Sequence, residues 1–149
     1  MSPTVAVYET ASAESTIALG RELAATLPRR AAIFLIGNLG AGKTTLAKGI
    51  LQGLGLAKIE EVTSPTFTLI HEYGPNAEGA RAYHIDLYRL DHLAQLATLG
   101  LDEILDQDAV VLMEWGERFP VIMPAERMEI RMTPVGDDVR KIEVLRIEM

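Results

Sequence analysis

A glycine-rich segment between an apolar run and a helical pattern constrains the fold of this chain most strongly. The apolar run covers residues 31–36 and is bounded by two arginines and by Gly37, which is typical of a strand covered on both faces in a parallel sheet. Residues 37–44 read Gly-Asn-Leu-Gly-Ala-Gly-Lys-Thr and match the pattern G-x-x-x-x-G-K-[S/T]. A helix is expected from Lys43 to about Leu54, because Gly55 is a typical C-terminal cap. Strand, loop and helix in this order predict a phosphate-binding loop in an α/β protein.

The residue types in this loop suit the binding of a nucleotide's phosphates. Glycine lets backbone N–H groups wrap a phosphate without clashes from Cβ atoms, and the helix that follows adds the positive end of its dipole. Lys43 would supply a mobile cation for the β- and γ-phosphates, and the hydroxyl of Thr44 would be one ligand of a bridging Mg²⁺. The loop residues predicted to bind nucleotide are Gly37, Asn38, Leu39, Gly40, Ala41, Gly42, Lys43 and Thr44. The order of the glycines does not match the dinucleotide pattern G-x-G-x-x-G, so NAD is not expected.

A phosphate-binding loop of this kind needs a carboxylate at the end of another strand, which positions Mg²⁺ directly or through water. Glu114 is one candidate, because it follows the apolar run 109–113, a predicted strand; the alternative is a solvated charge at the strand's end. Asp86 is the other, on the polar side of an alternating segment. Its alternative is an ion pair with Arg89, or a charge on the solvated face of a hairpin.

Two further features lie near these residues in the sequence. Residues 63–66, Thr-Ser-Pro-Thr, form a hydroxyl-rich loop after the predicted helix, where segments that sense the γ-phosphate lie in P-loop proteins. An ordinary Ser/Thr turn before a strand explains the same residues. Trp115, the only tryptophan, either packs in the core or lines the nucleotide site beside Glu114. The three histidines lack the H-E-x-x-H spacing, so no zinc site is predicted.

The remaining pattern predicts helices and two hairpins around this core. At 149 residues the length suits one domain, so we expect residues 1–149 to form a single P-loop domain. Its predicted fold is α/β, a mostly parallel sheet flanked by helices with antiparallel hairpin additions. The other predicted elements are a helix that follows Ser12 and stops at Pro28, a hairpin within residues 62–88, a short helix from an Asp91 cap through Leu99, a turn of helix at 101–105, and a C-terminal hairpin with one solvated face within 128–147.

Charge and cysteine content exclude several classes of function. The formal net charge of −7 argues against a broad basic face laid along nucleic acid, so any role on nucleic acid is expected to be shared with a partner. The absence of cysteine excludes disulfides, thiolate zinc sites, iron–sulfur clusters and a cysteine nucleophile. With no signal-peptide pattern and no apolar run that could span a bilayer, a cytoplasmic protein that does not enter the membrane is expected.

The motifs occur in a characteristic order along the chain. The phosphate-binding loop is followed by Ser-Pro-Thr-Phe-Thr-Leu at residues 64–69, His-Ile-Asp-Leu-Tyr-Arg-Leu at 84–90, and Glu114-Trp115. This set resembles the bacterial TsaE (YjeE) ATPases, and the resemblance extends from the first helix to the C-terminal hairpin. Members of that family are needed for threonylcarbamoyladenosine formation at position 37 of tRNAs that read codons beginning with A, and they act with TsaB, TsaD and TsaC.

The resemblance implies a role for individual residues. ATP and Mg²⁺ would be the ligands, and residues 40–45, which include Thr45, would hold the phosphates. Hydrolysis, weak in the isolated chain and completed by the TsaB–TsaD complex, would reset that complex between turnovers, and tRNA would be contacted through the partners. The resemblance implies Thr44 and Glu114 as metal ligands, Asp86 as a catalytic carboxylate, and Ser64 and Thr66 as a switch-like loop. Together with the reasoning from the residues, the predicted catalytic residues are Lys43, Asp86 and Glu114, the predicted metal ligands are Thr44, Asp86 and Glu114, and the further predicted ATP-binding residues are Ser64, Thr66 and Trp115.

Two other functions remain open. The chain could be a nucleotide sensor in which ATP binding orders the loop at residues 64–66 and creates a docking surface without turnover. A small-molecule kinase is less favoured, because little of the chain is left to build an arginine-bearing lid and an acceptor pocket. A GTPase is not expected, since the sequence contains no Asn-Lys-x-Asp segment.

Overall fold

The computed structural model describes residues 4–65 and 69–148 of the chain. Within these residues seven strands form one sheet: β1 (Thr4–Thr10), β2 (Ala31–Ile36), β3 (Ile70–Tyr73), β4 (Ala82–Asp86), β5 (Val110–Glu114), β6 (Arg127–Pro134) and β7 (Arg140–Ile147). The helices are α1 (Ala13–Ala24), α2 (Lys43–Gly53), α3 (Leu93–Leu96) and α4 (Leu101–Leu105). Short 3₁₀ turns cover Ile59–Glu61, Gly116–Arg118 and Pro120–Ile122.

The spatial order of the strands is β1-β7-β6-β2-β5-β4-β3. The four central strands, from β6 to β4, run parallel to one another. The pairs β1–β7, β7–β6 and β3–β4 are antiparallel and build the two edges. This confirms the predicted α/β fold, a parallel core with antiparallel hairpin additions.

The parallel core is covered on both faces. Because successive side chains of a strand point to opposite faces, Ile33 and Leu35 of β2 pack against α1 and α2, together with Leu112 of β5. Phe34 of β2 points the other way and packs with Val111 and the residues of α3 and α4. We call these two surfaces the α1/α2 face and the α3/α4 face. None of the helices in the described residues is long and apolar enough to cross a membrane.

The first helix begins as predicted and ends earlier than predicted. Ser12 is its N-cap, and the Oγ of Ser12 accepts a hydrogen bond of 3.1 Å from the backbone N–H of Ser15. The Oγ of Ser15 in turn accepts 3.0 Å from the N–H of Ser12, which satisfies two of the free donors at a helix start. The helix ends at Ala24, four residues before Pro28.

One strand was missed, and two other expectations need correction. The strand β1 was not predicted, because it pairs with the far end of the chain: Thr4 is opposite Arg146 and Thr10 is opposite Arg140. The helix α3 is capped by His92 rather than Asp91, because the Gln95 side chain accepts hydrogen bonds from the N–H groups of both residues and the helix starts only after them. It spans Leu93–Leu96 and stops short of Leu99.

The predicted hairpin within 62–88 is confirmed as β3–β4, but its polar side is not solvated. All five residues of β4 are buried, since the strand lies between β3 and β5 and both faces of the sheet are covered there. The C-terminal hairpin is confirmed as β6–β7, with Arg131 exposed and Ile130 buried. On this hairpin Glu129 is buried; burial acts to raise its pKa, but hydrogen bonds from Arg127 and Arg131 hold the pKa below its usual value.

The helices α1 and α2 approach closely through glycines, which gives a stability prediction. A Cβ atom on Gly49 would overlap the carbonyl oxygen of Ile17, and one on Gly20 would lie 2.6 Å from the carbonyl oxygen of Leu46. We expect Gly49→Ala to lower the free energy of unfolding by about 3 kcal/mol, although alanine is the better helix former by about 1 kcal/mol. Urea denaturation measures the change, with Lys48→Ala as the control in the same helix. A Gly49→Ala protein as stable as the parent would contradict the close packing.

Candidate nucleotide-binding site

A cleft of about 430 Å³ lies at the carboxyl ends of the parallel strands, where α2 begins. Such a position is where ligands bind in open α/β sheets. Of the residues predicted from sequence, the cleft is lined by Leu39, Gly40, Gly42, Lys43, Thr44, Thr45, Ser64, Asp86, Glu114 and Trp115. Gly37, Asn38 and Ala41 belong to the same loop but do not line the cleft, and the Ala41 N–H donates to the Asn38 carbonyl at 3.0 Å. Thr66 lies outside the described residues.

Two glycines of the loop adopt conformations that other residues avoid. Gly40 has φ of 80° and Gly42, the N-cap of α2, has φ of 98°, both in the left-handed region. Gly42 therefore turns the chain from the loop directly into α2. The free N–H groups at the N-terminus of α2 lie at the end of the helix that is next to the cleft. Both features agree with the predicted phosphate-binding loop, and the binding of phosphate stays a prediction.

Lys43 is held inside the loop. Its Nζ donates a hydrogen bond of 2.7 Å to the carbonyl oxygen of Gly37 and lies 3.6 Å from the centre of the Trp115 ring. Burial lowers the pKa of Lys43, while the charges of Glu114, Glu117 and Asp86 act in the opposite direction. The ammonium group is thus already desolvated, and a phosphate group could replace the Gly37 carbonyl as its partner.

Asp86 and Glu114 lie side by side. They are direct partners in the parallel register of β4 and β5, and both point to the α1/α2 face, where α2 begins. Asp86 is 4% exposed and Glu114 is 3% exposed, so neither is a solvated surface charge. Asp86 accepts hydrogen bonds from the Ser64 hydroxyl at 3.0 Å and from the Tyr88 N–H at 2.9 Å.

The Glu114 carboxylate joins three elements through one oxygen atom. Its Oε2 accepts a hydrogen bond of 3.2 Å from the Thr44 hydroxyl of α2 and lies 2.6 Å from Nε2 of His84 in β4. The two predicted metal ligands Thr44 and Glu114 are therefore in contact. Asp86, the third, stands next to Glu114 on the same edge.

These oxygen atoms suit Mg²⁺ bound together with phosphates. No group of three or more His, Cys, Asp and Glu side chains that could hold a metal ion occurs within residues 4–65 and 69–148. Mg²⁺ does not need one, because it is usually held by one or two carboxylates and by phosphate oxygens of the substrate. A hydroxyl and two neighbouring buried carboxylates at the loop fit that pattern, and the metal-binding roles of Thr44, Asp86 and Glu114 remain predictions.

Trp115 contacts both the core and the cleft. It packs against the hydrophobic cluster of the α3/α4 face and also lines the cleft. Its φ of 67° is unusual for a residue other than glycine and costs of order 1–3 kcal/mol. The ring lies 5.1 Å from that of Tyr88, which also lines the cleft and which no prediction had included.

Two other residues at the site were missed from sequence. Arg140 at the start of β7 donates to the carbonyl oxygens of Ala41 at 3.2 Å and Gly40 at 3.3 Å, and no local pattern could reveal a contact across about a hundred residues. His84 could have been found, because it precedes Asp86 by two positions and so shares its face of a strand.

The loop between a central parallel strand and a helix, with two buried carboxylates on the neighbouring strand ends, defines a P-loop-like α/β protein. The family model described as "Threonylcarbamoyl adenosine biosynthesis protein TsaE" matches residues 10–142. The chain belongs to the TsaE family, which confirms the resemblance given by the motifs.

Individual relatives agree with this assignment. The chain is 39% identical to the tRNA threonylcarbamoyladenosine biosynthesis protein TsaE of Bacillus subtilis, over 91% of this chain and 82% of that protein. It is 41% identical to the protein of the same name from Haemophilus influenzae, over 76% and 68% of the two chains. The crystal structure of Bacillus subtilis YdiB superposes with a TM-score of 0.80 and 32% identity, covering 99% of this chain and 89% of that one.

Proposed function

We propose that this chain is an Mg²⁺-dependent ATPase subunit of tRNA threonylcarbamoyladenosine biosynthesis that acts with a TsaB–TsaD complex. The observation that carries the proposal is the convergence of Lys43, Thr44, Asp86 and Glu114 on one cleft in a member of the TsaE family. This combination of a loop cation, a hydroxyl and two strand-end carboxylates suits phosphoryl transfer, which depends on positioning and on charge stabilisation.

In this proposal the groups of the cleft bind the phosphates, the cation and the attacking water. The loop N–H groups and Lys43 bind the phosphates of ATP, while Thr44, Glu114 and Asp86 hold Mg²⁺. Bound there, Mg²⁺ would offset the charge that develops on the phosphate oxygens. Asp86, held by the Ser64 hydroxyl and the Tyr88 N–H, also orients the attacking water, and the products are ADP and phosphate.

Partner dependence follows from the charges of the chain. The net charge of −7 disfavours independent binding to tRNA, so the tRNA is contacted through TsaB and TsaD, with TsaC acting earlier in the same cytoplasmic pathway.

In the cleft, the described residues include one arginine, Arg140, which donates to loop carbonyls. Since a further cation at the transferred phosphate accelerates many P-loop enzymes, we expect hydrolysis by the isolated chain to be slow.

The test is ATP hydrolysis by the purified chain with Mg²⁺, alone and then with a TsaB–TsaD complex and unmodified tRNA. We expect slow turnover alone and a strong rise with the partners. ATP binding without turnover under either condition would instead identify an ATP-gated binding subunit. Transfer of phosphate to a small acceptor would identify a kinase.

The single tryptophan offers an independent signal of nucleotide binding. Because Lys43 lies over the Trp115 ring and is expected to move to the β- and γ-phosphates, Mg²⁺–ATP should change both the intensity and the wavelength of Trp115 emission. AMP, which lacks those phosphates, is the control and should cause a much smaller change. Equal responses to ATP and AMP, measured at saturation, would contradict the movement of Lys43.

A further inference from the structure

His84 is a polar residue in a fully buried strand position. Its ring is 0% exposed, and Nε2 lies 2.6 Å from Oε2 of Glu114. The other ring nitrogen, Nδ1, is buried and has no hydrogen-bond partner among residues 4–65 and 69–148. A buried polar atom without a partner destabilises a fold by about 1–3 kcal/mol, so an apolar side chain would pack more favourably here. The contact with Glu114 is the feature that accounts for a histidine at this position.

The chemistry of the contact favours one direction of the hydrogen bond. An ionised carboxylate only accepts hydrogen bonds, so Nε2 of His84 is the donor wherever Glu114 carries its charge. A neutral ring with its proton on Nε2 leaves Nδ1 as an acceptor only, and Nδ1 has no hydrogen-bond partner in the described parts of the chain. The pairing therefore favours the Nε2–H tautomer.

The same carboxylate oxygen orients the Thr44 hydroxyl. Thr44 donates its proton to Oε2 of Glu114, and its oxygen lone pairs are thereby left for a cation. With its proton on Nε2, His84 donates to Oε2 from β4, while Thr44 donates to it from α2. Without His84, the buried carboxylate would keep only one of these two donors and would be free to rotate away from Thr44.

We propose that His84 is a positioning residue that, through its Nε2–H, holds Glu114 and so orients the Thr44 hydroxyl for the divalent cation. The inference rests on the proposed function, because His84 would support a metal ligand of that same site. Removing a residue that supports a metal ligand through a hydrogen bond typically lowers metal affinity or activity 10- to 100-fold, and we expect an effect of that size here.

A matched pair of substitutions separates the hydrogen bond from the volume of the ring. His84→Gln retains an N–H donor at a comparable distance along the side chain, whereas His84→Met has a similar length and no N–H. We expect His84→Met to raise the Mg²⁺ concentration at half-saturation of ATP binding about 10- to 100-fold. In His84→Gln this concentration should stay close to that of the unaltered protein. The binding is followed by calorimetry, so that the result does not depend on turnover. Equal Mg²⁺ dependence in His84→Met and the unaltered protein would overturn the proposal.

The metal-free protein gives a second test that needs no variant at position 84. In ¹⁵N-histidine NMR spectra, His84 should show a slowly exchanging proton on Nε2, whose resonance shifts in Glu114→Gln. A proton on Nδ1, or an Nε2 resonance unaffected by Glu114→Gln, would overturn the positioning role even if His84→Met failed to fold. Absence of ATP turnover with TsaB–TsaD would refute the proposed function alone, because both tests of His84 are independent of hydrolysis.

Discussion

Replacing Lys43 with methionine should weaken ATP binding by about 100-fold or more. A hydrogen bond to a charged group contributes about 1.5–3 kcal/mol, which corresponds to roughly 10- to 150-fold in affinity, and Lys43 would contact two phosphate groups. The lysine is buried and its pKa is lowered chiefly by that burial, so the charge itself does not favour folding. Methionine at this position should therefore leave the melting temperature unchanged or raise it.

Calorimetric titration with Mg²⁺–ATP measures the effect, and Lys48→Met is the matched control. That variant removes the same charge from the same helix without touching the cleft. It should bind ATP like the unaltered protein. If Lys43→Met bound ATP with unchanged affinity, the loop would not be the phosphate site.

Glu114→Gln and Asp86→Asn should have the opposite pattern, with ATP binding retained and turnover lost. Each substitution keeps the size of the side chain and removes one negative charge next to the phosphate groups. We expect the rate of hydrolysis in the presence of partners to fall about 100-fold or more, as is usual when a group that stabilises developing charge is removed. At Mg²⁺ concentrations that saturate each variant, ATP affinity should change much less, because the loop N–H groups and Lys43 would supply most of the phosphate contacts.

Steady-state hydrolysis and a binding titration on the same preparations separate the two effects. Glu103→Gln is the control, since it makes the same chemical change on the exposed side of α4. If Glu114→Gln hydrolysed ATP at the rate of the unaltered protein, Glu114 would not take part in catalysis. Hydrolysis would then depend on other groups of the cleft, such as Asp86.

The loop and its flanking elements could be predicted because their signals are local. The strand at residues 31–36, the loop and the start of α2 at Lys43 follow from residues that are adjacent in sequence, and the structure confirms all three. The carboxylates were candidates for a similar reason, since a P-loop implies a strand-end acid. That Asp86 stands directly opposite Glu114 depends on the pairing of β4 with β5, which no local pattern specifies.

The contacts that were missed all join distant segments. Arg140 reaches the loop across about a hundred residues, and β1 pairs with β7 from the other end of the chain. The burial of His84 was hidden by the alternation of polar and apolar residues in β4, which is typical of a strand with one solvated face. Here the polar side instead faces the start of α2, where Thr44 and Glu114 meet.

The most direct test of the account is the threonylcarbamoyladenosine content at position 37 of tRNAs that read codons beginning with A. It would be measured in bacteria depleted of their own TsaE that express either this chain or its Glu114→Gln variant at equal levels. We expect the unaltered chain to restore the modified nucleoside and Glu114→Gln, although it still binds ATP, not to do so. Equal restoration by the two proteins would contradict the claim that ATP hydrolysis at this site drives the function.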